Sequence, residues 1–341
     1  MNAMTMDAVV CAAPGKLEVQ QRPIPRRADD EVLIRVRRVG VCGTDMHIFR
    51  GTQPYLSYPR IMGHELAGEV VEAPADSRLK AGDPVYVVPY MSCGRCAACA
   101  KGKTNCCMNI QVLGVHRDGG LVQFLSVPQR FVFSAAGITL EQAAMIEFLA
   151  IGAHAVRRAG LQPQQRVLVS GAGPIGIACA LFATLAGTQV TVLDTREDRL
   201  AFCRDRIGVH QALSAKEVGE AELAALTDGN LFDVVFDATG NSSAMEAGFK
   251  YIAHGGTYVL VSVVSANITF SDPDFHRREA TLMGSRNATS QDFEFVLDAI
   301  RAGRVPTDAL NTHAATLSEV PAVLPQWMNP EAGVIKAIVS C

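Results

Sequence analysis

The sequence has little charge for its length and no excess of positive charge. Only 19% of its 341 residues are charged and the net charge is −3, which removes any general attraction to nucleic acid or to an anionic membrane surface. No uninterrupted apolar stretch is long enough to span a bilayer. The N-terminus, with Met1, Met4 and Met6 crowded ahead of the strand-like Ala8-Val-Val-Cys-Ala, lacks the apolar segment of a secretory leader. Internal repeats and low-complexity linkers are missing too. What remains is a long, apolar-rich chain, 49% hydrophobic, for which two domains with substantial cores are expected. Ten cysteines without a leader point to the reducing cytoplasm and to metal binding rather than disulfides.

Four of those cysteines, Cys93, Cys96, Cys99 and Cys107, are spaced x2, x2 and x7. Thiolates this close in sequence can wrap tetrahedrally around one ion, and a four-sulfur shell suits structural zinc. The competing reading is a disulfide cluster or a chance cysteine patch, and Cys106, beside Cys107, is either a bystander or the alternative fourth ligand. The ion would hold an irregular lobe, over about residues 90–110, that has no apolar run able to fold alone. It speaks for stability and not for chemistry.

Chemistry needs an open site, and the chain offers one in two pieces: Val39-Gly-Val-Cys42-Gly-Thr44-Asp45-Met-His47, then Met62-Gly63-His64-Glu65. Cys42, His64 and Glu65 make a mixed sulfur, nitrogen and oxygen set, and three protein ligands with a fourth position left open describe catalytic zinc. Asp45 is expected to orient the His64 imidazole, while Thr44 and His47 supply a hydroxyl and an imidazole able to pass a proton outwards.

A third piece, Val167-Leu-Val-Ser-Gly171-Ala-Gly173-Pro174-Ile175-Gly176, is an apolar strand entering a Gly-x-Gly-x-x-Gly turn that opens a helix. A second strand follows and ends at Asp194, 23 residues past Gly171. This is the context a dinucleotide site requires: glycines let the backbone approach the pyrophosphate, and helix N-terminal amides meet its charge. Asp194 would accept from the adenosine ribose hydroxyls and repel a 2′-phosphate, which points to NAD. Arg196 and Arg199 nearby could instead receive a phosphate. Texture divides the chain in the same way: residues 1 to about 135 read as short alternating strands with Gly and Pro turns, for example Glu31-Val-Leu-Ile-Arg-Val-Arg. From about residue 140, Ala- and Leu-rich helical runs alternate with apolar strands, the pattern of a parallel sheet. A helix is expected over 292–302 and a strand over 334–339.

Taken together these residues resemble the medium-chain zinc-dependent alcohol dehydrogenases, in their polyol and threonine dehydrogenase branch. The resemblance follows that family's order: Gly-Val-Cys-Gly-Thr-Asp-Met-His, Gly-His-Glu, the cysteine lobe, Met145-Ile-Glu147, the glycine turn, and Asp233-Val-Val-Phe-Asp237-Ala-Thr-Gly240. It implies an α/β architecture, a GroES-like β-rich catalytic domain over 1–148 and 287–341 with a Rossmann NAD-binding domain inserted over 149–286. It implies two zinc ions per chain, one catalytic and one structural, with NAD as the cofactor, an alcohol as the substrate, and a homotetramer or homodimer. By the same resemblance Glu147 is either a direct zinc ligand or a water-polarising base, and the proton leaves through Thr44, the cofactor ribose and His47. Where the family commonly reads Ile-Glu-Pro, this chain has Ile146-Glu147-Phe148, which frees a backbone N–H.

Three further stretches, Gly51-Thr-Gln-Pro-Tyr-Leu-Ser-Tyr-Pro-Arg60, Leu113-Gly-Val-His116-Arg-Asp-Gly-Gly120 and Phe270-Ser-Asp-Pro-Asp-Phe-His276 leading to Met283-Gly-Ser-Arg286-Asn-Ala-Thr289, resemble bacterial dehydrogenases of sugar acids, L-galactonate foremost. Arg286 then becomes the candidate carboxylate clamp and His116 a second candidate for the same pocket. The alternatives are a threonine or neutral polyol dehydrogenase and, from a different class, a sensor that binds NAD without turnover. A sensor would be expected to have lost part of the site, and every proposed ligand and glycine is present.

Overall fold

The computed structural model describes residues 4–54 and 56–341; Met1 and Tyr55, named in the motifs above, lie outside them. The chain divides into two compact units, Met1–Glu147 with Thr289–Cys341, and Phe148–Ala288.

The first unit is built round the strand Glu31–Val41, in which Val32, Ile34, Val36, Val39 and Val41 are buried. β-branched residues at this spacing suit a pleated strand with one face in the core. It pairs antiparallel with Glu65–Glu72, with Phe124–Pro128 and with Lys336–Ser340, so a strand from the end of the chain sits beside one from its beginning. The seven-stranded sheet is completed by Pro84–Val87, Val132–Ser134 and Asn311–Thr316. A three-stranded sheet places Thr5–Ala13 between Lys16–Pro23 and Arg60–Ile61. The helix expected over 292–302 runs Ser290–Arg301, where the Asp292 carboxylate accepts from the Thr289 N–H at 2.8 Å and begins it earlier. The terminal strand starts at Lys336, two residues later than the apolar pattern suggests.

The second unit is a six-stranded parallel sheet. Numbered in chain order from Arg166–Ser170, its strands lie 3-2-1-4-5-6, the order of the dinucleotide-binding fold. Its central strands are apolar on both faces, as a sheet covered on both sides requires; Val167, Leu168 and Val169 are all fully buried. The helix Pro174–Leu185 is buried from Gly176 to Ala183, which accounts for a sequence apolar all round.

Candidate active site

Strand Glu31–Val41 ends one residue before Cys42, and the helix Gly43–Arg50 begins one residue after it. Asp45, in the first turn of that helix, is buried, and its two oxygens accept from the Cys42 N–H at 2.9 Å and the Gly63 N–H at 3.0 Å. The expected bond from Asp45 to the His64 imidazole is not formed. Asp45 instead ties together the two backbone segments that carry Cys42 and His64, and its acceptors are occupied by amides. His64 and Glu65 follow directly, the latter opening strand Glu65–Glu72 in register with Gly40. A Cβ on Gly40 would stand 2.0 Å from Glu65 Oε2, so only glycine leaves room there for the carboxylate.

One ligand atom each from Cys42, His64 and Glu65 lies within 4.8 Å of the others. Glu147, the second residue of helix Ile146–Ala159, is buried, and one of its oxygens accepts from the Tyr90 hydroxyl. Burial pushes the Glu147 carboxyl up to about 7; the neighbouring His64 opposes the rise and Glu65 adds to it. Two buried atoms here, His64 Nδ1 and Glu147 Oε2, have no hydrogen-bond partner among the described residues. Buried polar groups are rarely left so, and a thiol, an imidazole and a carboxylate converging beside orphaned acceptors fit a zinc ion with water.

Two members of the site escaped sequence reasoning. Lys336 is buried, and its Nζ donates to both Glu65 oxygens at 2.6 and 2.7 Å and to the Val41 carbonyl at 3.2 Å. It was visible only as a single charge in the apolar run Val334-Ile-Lys-Ala-Ile-Val. Tyr90 carried no local signal at all. Of the relay candidates, Thr44 Oγ1 stands 3.9 Å from Cys42 Sγ, and His47 is exposed with Nδ1 2.9 Å from Thr52 Oγ1. His116 Nδ1 accepts from the Val112 N–H at 3.1 Å within its own turn. Arg286 is exposed in the second unit, two residues after strand Thr281–Gly284.

Cys93, Cys96, Cys99 and Cys107 converge in the lobe while the neighbouring Cys106 is exposed outside the cluster. All ten cysteines are free thiols. Backbone N–H groups of Arg95 and Cys96 donate to Cys93 and hold its thiol down at about 6, and Cys107 Sγ accepts from the Cys93 N–H at 3.2 Å. Amides aimed at Cys93 favour its thiolate, while burial and the neighbouring Cys96 and Cys107 push the Cys99 thiol up to about 11; the four converging sulfurs fit zinc.

In the second unit Gly171 has φ 92°, and a Cβ on Gly176 would meet the Gly171 carbonyl oxygen at 1.7 Å; one on Gly173 would meet only open space. Gly173 caps helix Pro174–Leu185, with Pro174 and Ile175 in its first turn. The turn therefore leaves a bare helix N-terminus that fits a pyrophosphate. Asp194 bridges this turn, accepting from Ala172 N–H at 2.5 Å and Arg196 N–H at 2.9 Å. Arg196 pairs with Asp198 at 2.6 Å, and Arg199 is buried beside it.

A three-ligand cluster, a four-cysteine lobe and a Rossmann sheet define a zinc-type alcohol dehydrogenase. Residues 28–137 match the alcohol dehydrogenase GroES-like domain and residues 174–302 the zinc-binding dehydrogenase family, and the chain belongs to that family. It is 45% identical to an L-galactonate-5-dehydrogenase of Escherichia coli K12, over 92% of this chain and 94% of that protein. It is 33% identical to a D-altritol 5-dehydrogenase of Agrobacterium fabrum, over 83% and 84%. Among solved structures, an alcohol dehydrogenase of E. coli CFT073 complexed with NADH superposes with a TM-score of 0.93, at 27% identity over 99% of both chains.

Proposed function

We propose that this enzyme oxidises a secondary alcohol of a sugar acid, L-galactonate before others, with NAD as hydride acceptor. The observation that carries the chemistry is the convergence of Cys42, His64 and Glu65 beside the buried Glu147. The sugar-acid substrate is supported by the 45% identity to the L-galactonate enzyme. A neutral polyol is the second reading, supported by the altritol relative. When bound, the zinc supplies Lewis acidity to the substrate hydroxyl and NAD supplies the hydride acceptor.

The remaining work belongs to the chain's own residues. Cys42, His64 and Glu65 hold the metal, and Lys336 balances the charge of Glu65 behind it. Glu147, anchored through one oxygen by Tyr90, keeps the other free to orient water or the substrate hydroxyl at the open position. Thr44, beside Cys42, acts as a relay, giving up its own hydroxyl proton outwards as it receives that of the substrate, and His47 on the exposed side of the same helix hands a proton to solvent. Cys93, Cys96, Cys99 and Cys107 hold the second, structural zinc. Gly171, Gly173, Pro174, Ile175 and Gly176 cradle the pyrophosphate, with Asp194 towards the ribose and Arg199 behind it, and Arg286 pairs with the substrate carboxylate. The enzyme works as a homo-oligomer in the cytoplasm.

The test is NAD reduction by zinc-replete protein offered L-galactonate, other aldonates, L-threonine, sorbitol and galactitol side by side. Activity confined to sugar acids is expected, with Arg286→Ala raising KM for the acid far more than for any neutral polyol. Preference for threonine or a polyol would discard the sugar-acid substrate and keep the zinc and hydride chemistry.

A further inference from the structure

The first unit contains a cavity of about 640 Å³ to which no metal-site residue contributes; that volume is within the range of small-molecule sites. Four arginines line it, Arg22, Arg26, Arg60 and Arg117, against two carboxylates, Glu31 and Asp118. Asp118 is committed: one of its oxygens accepts from Arg60 Nη1 and from the Ile61 N–H, both at 3.1 Å. Glu31 accepts from Ser126 Oγ at 2.7 Å. Among the described residues the Arg117 guanidinium reaches the Met91 sulfur alone, at 3.3 Å. The side chains of Arg22 and Arg26 have no hydrogen-bond or ion-pair partner among the described residues. The Nε atoms of Arg22 and Arg60 are both buried without an acceptor.

Four positive charges against two negative leave two positive charges facing one cavity. A buried guanidinium N–H without an acceptor costs free energy that a bound oxyanion would recover. Arg22 and Arg60 stand on the two strands that flank Thr5–Ala13, in register with Met6 and Cys11, so the backbone that carries them is held by a sheet; Arg26 is exposed on the segment that follows strand Lys16–Pro23. We infer that this cavity binds a small organic dianion, a phosphate monoester or a dicarboxylate, at a site whose lining includes neither a metal-site residue nor one of the glycine turn. Arg22 and Arg26 take the anion, and Glu31 with Ser126 borders the rest of the ligand.

The experiment is calorimetric titration of zinc-replete protein saturated with NADH, so that the dinucleotide phosphate positions are filled, at low ionic strength. Glucose 6-phosphate and succinate are the probes, one for each oxyanion. One saturable site per chain is expected for at least one probe. Arg22→Ala combined with Arg26→Ala should weaken it about tenfold or more, since the charged hydrogen bonds to the anion are lost. The pair Arg22→Lys and Arg26→Lys should retain part of the binding and show that charge, not folding, was removed. Both variants should turn over their alcohol substrate normally. Saturation by glucose 6-phosphate alone would identify the phosphate source, and by succinate alone the carboxylate. No saturable binding of either probe up to about 10 mM, a concentration that would reveal even millimolar affinity, would overturn the site. Binding unaffected by the double alanine variant would overturn it equally.

Discussion

At the scale of single residues, the proposed metal site depends on two positions that are not among its proposed ligands. Lys336 and Glu65 are both fully buried and paired through both carboxylate oxygens. Removing one partner of such a pair leaves an uncompensated charge in a place water cannot reach, at a cost of about 3–5 kcal/mol. In chelator-treated protein, Lys336→Met should therefore lower unfolding free energy in urea by about 3 kcal/mol, and Lys336→Arg by much less. Added zinc should restore part of the loss to the Met variant, because the ion supplies the missing positive charge. Gly40 acts by absence. Its missing Cβ is the space Glu65 occupies, so Gly40→Ala should displace the carboxylate. Metal analysis should then find one zinc per chain where the parent has two, with turnover down at least about tenfold, which corresponds to about 1.4 kcal/mol of lost transition-state stabilisation. Full zinc content and unchanged turnover would show that the strand bends to accommodate the methyl. The convergence of Cys42, His64 and Glu65 was legible in the sequence because their types and short spacings announce the chemistry proposed for them. Lys336 was not, since its partner is 271 positions away and only the sheet register brings them together.

At the scale of elements, each functional group sits where a regular element stops. Cys42 is the junction of a strand and a helix, Glu147 lies in the first turn of a helix, and the glycine turn links a strand to the helix Gly173 caps. Element ends leave backbone amides unpaired and side chains uncovered, which is what ligands need. The glycine turn was legible because a strand, its turn and its helix are contiguous. The role of Asp45 was misread because its amide partners, Cys42 and Gly63, meet only after folding. The cysteine lobe is the extreme case. Its elements are a four-residue helix and a three-residue 3₁₀ turn, too short to persist without cross-linking. Cys96→Ser should release the structural ion and leave the catalytic one, so metal content falls by one per chain. Limited proteolysis should then cut first between residues 93 and 107. Retention of both ions, or cutting elsewhere with the lobe intact, would show that the lobe is held by its protein contacts instead.

At the scale of the whole molecule, the two tasks are assigned to different parts of the chain. Cys42, His64, Glu65, Glu147, Lys336 and the four lobe cysteines all belong to the first unit; the glycine turn and Asp194 belong to the second. Zinc ligation and dinucleotide binding can thus be lost separately although turnover requires both. The parallel strands of the second unit are legible as apolar runs, whereas the first unit's sheet order is not. That sheet joins strands from residues 31–41 and 336–340, a pairing no local pattern contains. The division predicts an asymmetry. Removing the catalytic zinc with a chelator should abolish alcohol oxidation, yet NADH should bind with a Kd within about twofold of the metal-replete value, a difference of about 0.4 kcal/mol. The enhancement of NADH fluorescence on binding, titrated before and after chelation, measures this directly. Asp194→Ala should do the reverse, weakening NADH while both zinc ions stay in place. If chelation weakened NADH tenfold or more, the two sites would be coupled by about 1.4 kcal/mol, and metal and cofactor would have to be treated as one cooperative system.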